Sequence, residues 1–389
     1  MIRSLWPILL VITGSVLSAD TAPAWVQTSA LHTSRAPLSS TTETLVQPIQ
    51  LTDISGRKIT LPRPASRVLI DDGRFLMAMA LIDPDPVRTL VAWPRDVNRI
   101  GVRTHEQFRA KFPRLDSLTQ IASSAATYSQ EQVLRVRPDV AVFSLGQGPS
   151  ADQIEQLQRV GIAVVFIDFF VHPLENTDPS LLILGQLTGR SAAAQAYVNF
   201  RKQHLQAISD RLKRAGTRTA PKVFVEVHAG ISEECCHAPG KGNVGDYITF
   251  VGGHNIAADV LPGTTGKLNI EYVLSQNAPV YIETGGPHLE KAGGLVLGPG
   301  FTVEQARASL QKMTARPGIS SLAAVKSGRT YGIAHQLLNS PLDILAVESM
   351  ARWIDPVLFR DIDPAKTLAE INTKYLAVPI EGPQWISLR

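Results

Sequence analysis

The sequence predicts an α/β protein of two doubly wound, Rossmann-like lobes with one long helix between them. Three observations lead there. Short β-branched runs alternate with helical stretches over most of the chain. One uninterrupted helical period runs from Ser191 to about Arg214. A small set of residues recurs at a fixed offset of 140 positions across that helix.

The size and composition suit this reading. A chain of 389 residues has room for two to three domains of about 150 residues each. With 44% hydrophobic and 19% charged residues it can bury a large core and is not intrinsically disordered. Lys plus Arg number 38 against 34 Asp plus Glu, a net charge of +4, too small and too evenly spread for a nucleic-acid binder. Two cysteines exclude a disulfide scaffold and a four-cysteine zinc module.

The first element is an address. Met1 to Arg3 is short and basic, Leu5 to Leu17 is mostly apolar, and small residues follow. That is the plan of a secretory signal, with cleavage after Ala19 or after Ala24. It predicts a signal peptide over 1–19 and an exported product. The Ser, Thr, Ala and Pro-rich stretch 20–48 reads as a flexible leader. No other apolar run approaches the ~20 residues of a membrane span.

The body begins at 49. RVLID (67–71), DVAVFS (139–144) and AVVFID (163–168) are continuous apolar runs bounded by turns or helices. Such runs suit the strands of a parallel sheet covered on both faces. KVFVEV (222–227), PVYIE (279–283), Leu295–Leu297 and TYGIA (330–334) repeat the pattern. The expected division is an N-terminal lobe over 49–178, a helical strut over 179–216 and a C-terminal lobe over 217–389.

Ser191 can cap the strut helix, which ends before Gly216. Ala194, Val198, Leu205, Ile208 and Leu212 share one face. By length alone this is either a long helix within one domain or a rod between two. The offset of 140 decides for the rod. Glu131, Val133, Leu134 and Val140 recur as Glu271, Val273, Leu274 and Val280, each group preceded by a helix-capping residue, Ser129 or Asn269.

These residues resemble a family, the periplasmic substrate-binding proteins of ABC importers for ferric siderophores, haem and cobalamin. The resemblance runs from about Leu51 to Leu376. It is carried by Asp53-Ile54-Ser55-Gly56-Arg57 with Leu61-Pro62 and Arg67-Val68, then by Glu131-Gln132-Val133-Leu134 ending in Arg137-Pro138-Asp139-Val140. Leu187-Thr188-Gly189-Arg190 with Ala194, and Gly245-Asp246 with Gly252-Gly253 and Asn255-Ile256, complete it. It implies a periplasmic protein, a single-helix hinge of little mobility, and a ligand held in the cleft between lobes. It implies no enzymatic activity and no cofactor apart from the cargo, expected to be an Fe(III) chelate. The implied partners are that chelate and an inner-membrane permease, bound by a monomer. Glu131 and Glu271 match the exposed carboxylates by which each lobe docks on the permease. From the residues alone, each would equally serve as a favourable charge on its helix dipole.

In open α/β sheets, ligands sit beyond the C-terminal strand ends. The candidate loops are therefore Asp71–Phe75, Trp93–Arg95, Leu145–Gly148, Phe169–His172, His228–His237, Thr284–His288 and Ala334–Gln336. Arginine pairs with carboxylate, catecholate or hydroxamate oxygens in a fork, and aromatic rings cover an organic shell. Arg74, Trp93, Arg95 and Phe170 fit that chemistry, with Arg103 and Arg109 further off. His172, His228, His237, His288 and His335 are candidate axial ligands should the cargo be haem. A surface role for each arginine, and a core role for Trp93, stay open.

Glu233-Glu234-Cys235-Cys236-His237 is the oddest segment. Cys235 and Cys236 either close a vicinal disulfide, expected in an oxidising compartment, stay as thiols, or meet a soft metal. Gly240–Gly245 lacks the Lys-Ser/Thr ending of a phosphate loop. The primary expectation is a siderophore carrier, with haem, cobalamin or a transition metal ion as alternative cargo. An exported hydrolase is a remote third, since neither G-x-S-x-G nor H-E-x-x-H occurs.

Overall fold

The computed structural model describes residues 48–122 and 128–389. The expected signal peptide, and all but the last residue of the expected leader, lie outside the described residues.

Two five-stranded sheets organise the body. The first runs, in spatial order, Thr119–Gln120, Leu90–Trp93, Val68–Ile70, Val140–Ser144, Ala163–Ile167, with every pairing parallel. The second runs His254–Asn255, Lys222–Glu226, Val280–Gly285, Thr330–Ala334, Trp385–Ser387. Its first four strands are parallel and its last is antiparallel. The central strands have no polar face. Val68, Leu69, Ile70, Val140, Ala141 and Val142 are all fully buried, because helices cover both sides. Leu295–Leu297 is buried but is not a strand. It makes single backbone bonds to Ala229 and Gly286, so no ladder forms.

In both sheets the chain reverses its direction of winding beside the first strand. Val68–Ile70 lies against Val140–Ser144, and Lys222–Glu226 against Val280–Gly285. Ligand crevices form at such reversals, beyond the C-terminal strand ends.

Two helices separate the sheets in sequence, Pro173–Thr188 and Ser191–Ala215. The stretch 179–216 is thus broken at Gly189, whose left-handed backbone (φ 71°) ends the first helix. Ser191 is the first helical residue, not the cap; Arg190 takes that place with no side-chain bond to the helix, and its guanidinium forks Asp83 at 2.9 and 3.0 Å. The 25-residue helix spans about 37 Å. Arg201 at its middle is fully buried and bonds Asp178 of the preceding helix and Asp343 of Asp343–Ile354.

The recurrence at 140 positions is structural. Gln130–Val136 and Ile270–Gln276 are both seven-residue helices. Ser129 accepts from the Gln132 N–H and Asn269 from the Glu271 N–H. Each helix leads into a strand, Val140–Ser144 or Val280–Gly285.

Candidate functional site

A cavity of about 600 Å³ opens where the strand ends of the two sheets converge. One wall comes from the first sheet: Arg74, Phe75 and Arg99, the Ser144–Gln147 turn, and Phe169 and Phe170. The other comes from the second: His228, His288, His335, Gln336 and Asn339.

The arginine wall is built on buried carboxylates. Asp72 caps the Arg74 N–H and accepts from Arg74 Nε and Nη2 at 3.0 and 2.6 Å. Arg99 also bonds Asp72, and pairs with Asp96 at 3.1 Å. Gly73 donates to Asp96 at 2.9 Å, and a Cβ at this position would strike that carboxylate. Burial disfavours the Asp72 anion, but the charge and hydrogen bonds of Arg74, with Arg99 behind them, outweigh it and hold the group below the usual range. Burial pushes Asp71 up to about 8 and Asp96 to about 6. At neutral pH the two guanidinium groups are therefore offset mainly by Asp72 and Asp96. This wall is fixed in orientation and close to neutral overall, its guanidinium groups paired with buried carboxylates.

The histidine wall is neutral. His228 Nδ1 lies 2.8 Å from His288 Nε2. The His335 ring packs against His228 at a tilt of 40°, with centroids 3.9 Å apart. Both His335 nitrogens are engaged, Nδ1 by Thr284 Oγ1 at 2.9 Å and Nε2 by Asn339 Nδ2 at 3.0 Å. Burial, then the neighbouring imidazoles and Arg74, bring His228 down to about 4 and His335 well below its ordinary value; burial lowers His288. His228 adopts a left-handed backbone (φ 54°), uncommon for a residue with a side chain. Its N–H is held by Thr284 Oγ1 at 2.9 Å. Among the described residues, no three His, Cys, Asp or Glu side chains converge so as to hold a metal ion.

Aromatic rings close the rim. Phe75 and Phe169 meet edge to face at 5.7 Å, and Phe170 is 41% exposed. Asp168 shapes this corner by accepting from the N–H groups of Phe170, Val171 and His172. The Gly-rich segment joins the walls. Asn243, with φ 51°, donates its side chain to the Phe170 carbonyl and its N–H to the Val171 carbonyl.

Of the candidate ligand residues, the fold brings together Arg74, Phe170, His228, His288 and His335. Trp93 is fully buried at the end of its strand and packs against His105, so it belongs to the core. Arg95 turns away, donating to the carbonyls of Asp116 and Leu118. Arg109 pairs with Asp116, and Arg103 with Glu106. His172 is exposed at a helix start and His237 is exposed at a strand start; neither lines the cavity. Arg99, Gln336 and Asn339 complete the lining. Gln336 lay within a nominated loop. Arg99 lies in the helix Val97–Ile100 and Asn339 caps the C-terminus of the helix His335–Leu338, and only folding brings them back.

Cys235 and Cys236 are joined by a disulfide. Cys236 is buried with Phe224, Ile256 and Tyr281 beneath the second sheet, away from the cavity lining. Glu131 and Glu271 are exposed, each in the first turn of its helix.

A family model described as periplasmic binding protein matches residues 80–337. No protein of curated function matches the sequence. Among solved structures, the TroA-like periplasmic binding protein FepB from Veillonella parvula is 25% identical, aligning 88% of this chain with 100% of its own at a TM-score of 0.79. MolA from Haemophilus influenzae, bound to molybdate, is 15% identical over 86% of this chain and 99% of its own (TM-score 0.65). A periplasmic haem-binding protein from Pseudomonas aeruginosa is 18% identical over 75% and 94% (TM-score 0.52).

Proposed function

The chain belongs to the periplasmic binding protein family, and from that premise we propose that it captures an anionic ferric siderophore between its lobes and delivers it to an ABC importer. The family supplies the class, a solute-binding component rather than an enzyme. Its structural relatives carry unlike ligands, molybdate in one case and haem in another, so the cargo is read from the cleft itself.

One observation carries the reading. A cavity of about 600 Å³ sets Arg74 and Arg99 against one side of a ligand and aromatic rings at its rim. That volume suits a small organic complex. Guanidinium forks suit catecholate, carboxylate or hydroxamate oxygens, and Phe75, Phe169 and Phe170 suit the organic shell. The exposed carboxylates Glu131 and Glu271 are the proposed contacts with the permease.

The test is native mass spectrometry of the protein with a panel of ferric and iron-free siderophores, haem, cobalamin and divalent metals. A one-to-one complex with a ferric chelate is expected. Exclusive binding of haem, cobalamin or a bare ion would replace the cargo and keep the class. The neutral imidazoles of His228 and His288 favour haem as the second reading, and a shift of the Soret band would identify it.

A further inference from the structure

We propose that Asn243 is a positioning residue of the cleft: it ties the aromatic rim carried by the first lobe to the second lobe, and this tie sets how long cargo is retained. The inference rests on the reading of the cavity as a cargo site and goes beyond it to the control of release.

A backbone outlier points to the residue. Asn243 has φ 51° and ψ −133°. Asparagine is tolerated at positive φ when ψ is about +30 to +60°, and here ψ lies far outside that well. Glycine could take this conformation with no Cβ to clash, and glycines stand at 240, 242 and 245. A strained residue persists only where its surroundings over-determine it, and such residues gather at functional sites. What asparagine has and glycine lacks is the side-chain amide. Its Oδ1 accepts from the Val244 N–H at 2.7 Å, at the start of Val244–Phe250. Its Nδ2 crosses to the first lobe and donates to the Phe170 carbonyl. Beside it, the backbone N–H of Asn243 donates to the Val171 carbonyl at 3.1 Å.

Those two carbonyls belong to a strap that is held from both lobes. The N–H groups of Phe170, Val171 and His172 all donate to the buried carboxylate of Asp168, at 2.8, 2.7 and 2.9 Å. Asp168 directly follows the strand Ala163–Ile167, so it anchors the strap in the first sheet, and Asn243 anchors it in the second lobe. Phe169, Phe170 and Val171 all line the cavity. Phe169 is buried and packs on Phe75, so it is held without the tie. Phe170 is half-exposed and takes its position from the backbone that Asn243 holds. With the tie made, that ring is fixed at the mouth of the cavity; with the tie broken, the strap keeps only its Asp168 end. Contacts of this kind act on dissociation more than on association.

The test compares Asn243→Gly, which accepts the backbone and deletes the amide, with Asn243→Asp. The latter keeps the shape and the Val244 cap but sets a carboxylate oxygen against the Phe170 carbonyl. At least one variant should keep the native circular dichroism; loss of the fold in both would make Asn243 a folding residue and overturns the inference. Without any cargo, hydrogen exchange over 169–172 should speed up at least about fivefold, while Ala163–Ile167 is unchanged. The probes for cargo are a ferric tris-catecholate and a ferric tris-hydroxamate, followed by stopped-flow fluorescence. Release of the chelate that binds should be about tenfold faster, and its capture changed less than about threefold. Phe170→Ala alone should speed release to a similar degree. Adding Asn243→Gly to it should have little further effect, because Asn243 acts through that ring. Exchange at 169–172 that stays at the wild-type rate overturns the inference, whatever the cargo. Release at the wild-type rate, or effects of Asn243→Gly and Phe170→Ala that multiply in full, overturns it too and leaves the carrier reading standing. If neither probe nor any other ferric siderophore binds the wild-type protein, the carrier reading falls and the inference with it.

Discussion

Arg201 on the long helix grips Asp343 through two parallel hydrogen bonds, Nε to Oδ1 at 2.8 Å and Nη2 to Oδ2 at 2.7 Å, with both side chains fully buried. The same guanidinium reaches Asp178 at 2.8 Å, and Tyr247 donates to Asp343 at 3.0 Å. The helix is thereby fixed to the second half of the chain at its middle and not only at its ends. Arg201→Met leaves Asp343 buried without its counter-ion and should cost about 3–5 kcal/mol, read as a lower urea midpoint. A loss under about 1 kcal/mol, the range of an exposed ion pair, would show that water reaches the site.

Arg74 should matter to cargo beyond its charge. Its guanidinium is oriented by Asp72 and faces the cavity. Arg74→Lys keeps the charge but loses the planar fork. Ferric siderophore affinity should fall about tenfold, equivalent to about 1.4 kcal/mol, with the fold retained by circular dichroism. Unchanged affinity in titration calorimetry would reduce Arg74 to a partner of Asp72.

Stability should fall between about pH 6.5 and pH 8. The folded protein holds the Asp71 proton up to about pH 8, while the unfolded chain releases it near pH 3.8. Between those values the native state binds the extra proton, so stability declines as pH rises and levels off above about 8. The lowered histidines act in the opposite sense. His228 is neutral when folded down to about pH 4, so it lowers stability as pH drops from about 6.5. The two slopes oppose each other below pH 6.5 and Asp71 prevails above it. Asp71→Asn, which can still pair with Ser144, should remove the decline, on the order of 1–2 kcal/mol, in thermal melts from pH 6.5 to 8.5. A decline that persists in this variant would assign it to another group.

The sequence carried the strands, the long helix and the recurrence because all three depend on local patterns. The recurrence goes deeper than the letters that match. Arg137 and Asn277, also 140 apart, both close their helices with φ 47°, although one is a long cation and the other a small amide. The candidate site was legible only where a ligand residue follows a strand directly, as Arg74 and His228 do. Trp93 misled because Leu90–Trp93 is a short strand whose end points into the core. Arg99 escaped because it sits 27 residues from the Asp72 it bonds, and no local pattern encodes that meeting. The pairing of His228 with His288 across 60 positions is likewise a product of strand order.

Glu131 and Glu271 allow delivery to be separated from capture. Neither lines the cavity. The Glu131 side chain is 81% exposed and its pairing with Arg135 at 2.7 Å lies within one helix, so it is a weak and replaceable contact. Asn269 caps the helix that carries Glu271 through the backbone N–H of that residue, not its carboxylate. Replacing either glutamate with lysine should therefore leave fold and chelate affinity intact. If these carboxylates dock the permease, each replacement puts a cation where an anion is read, and charge reversal at an interface acts on encounter and register. Uptake of ferric siderophore in cells or proteoliposomes should fall severalfold for Glu131→Lys or Glu271→Lys alone. It should fall further for the double variant, since the two lie on helices leading into different sheets. Full uptake with both reversed would leave the two carboxylates as favourable charges on their helix dipoles and would move the docking surface elsewhere.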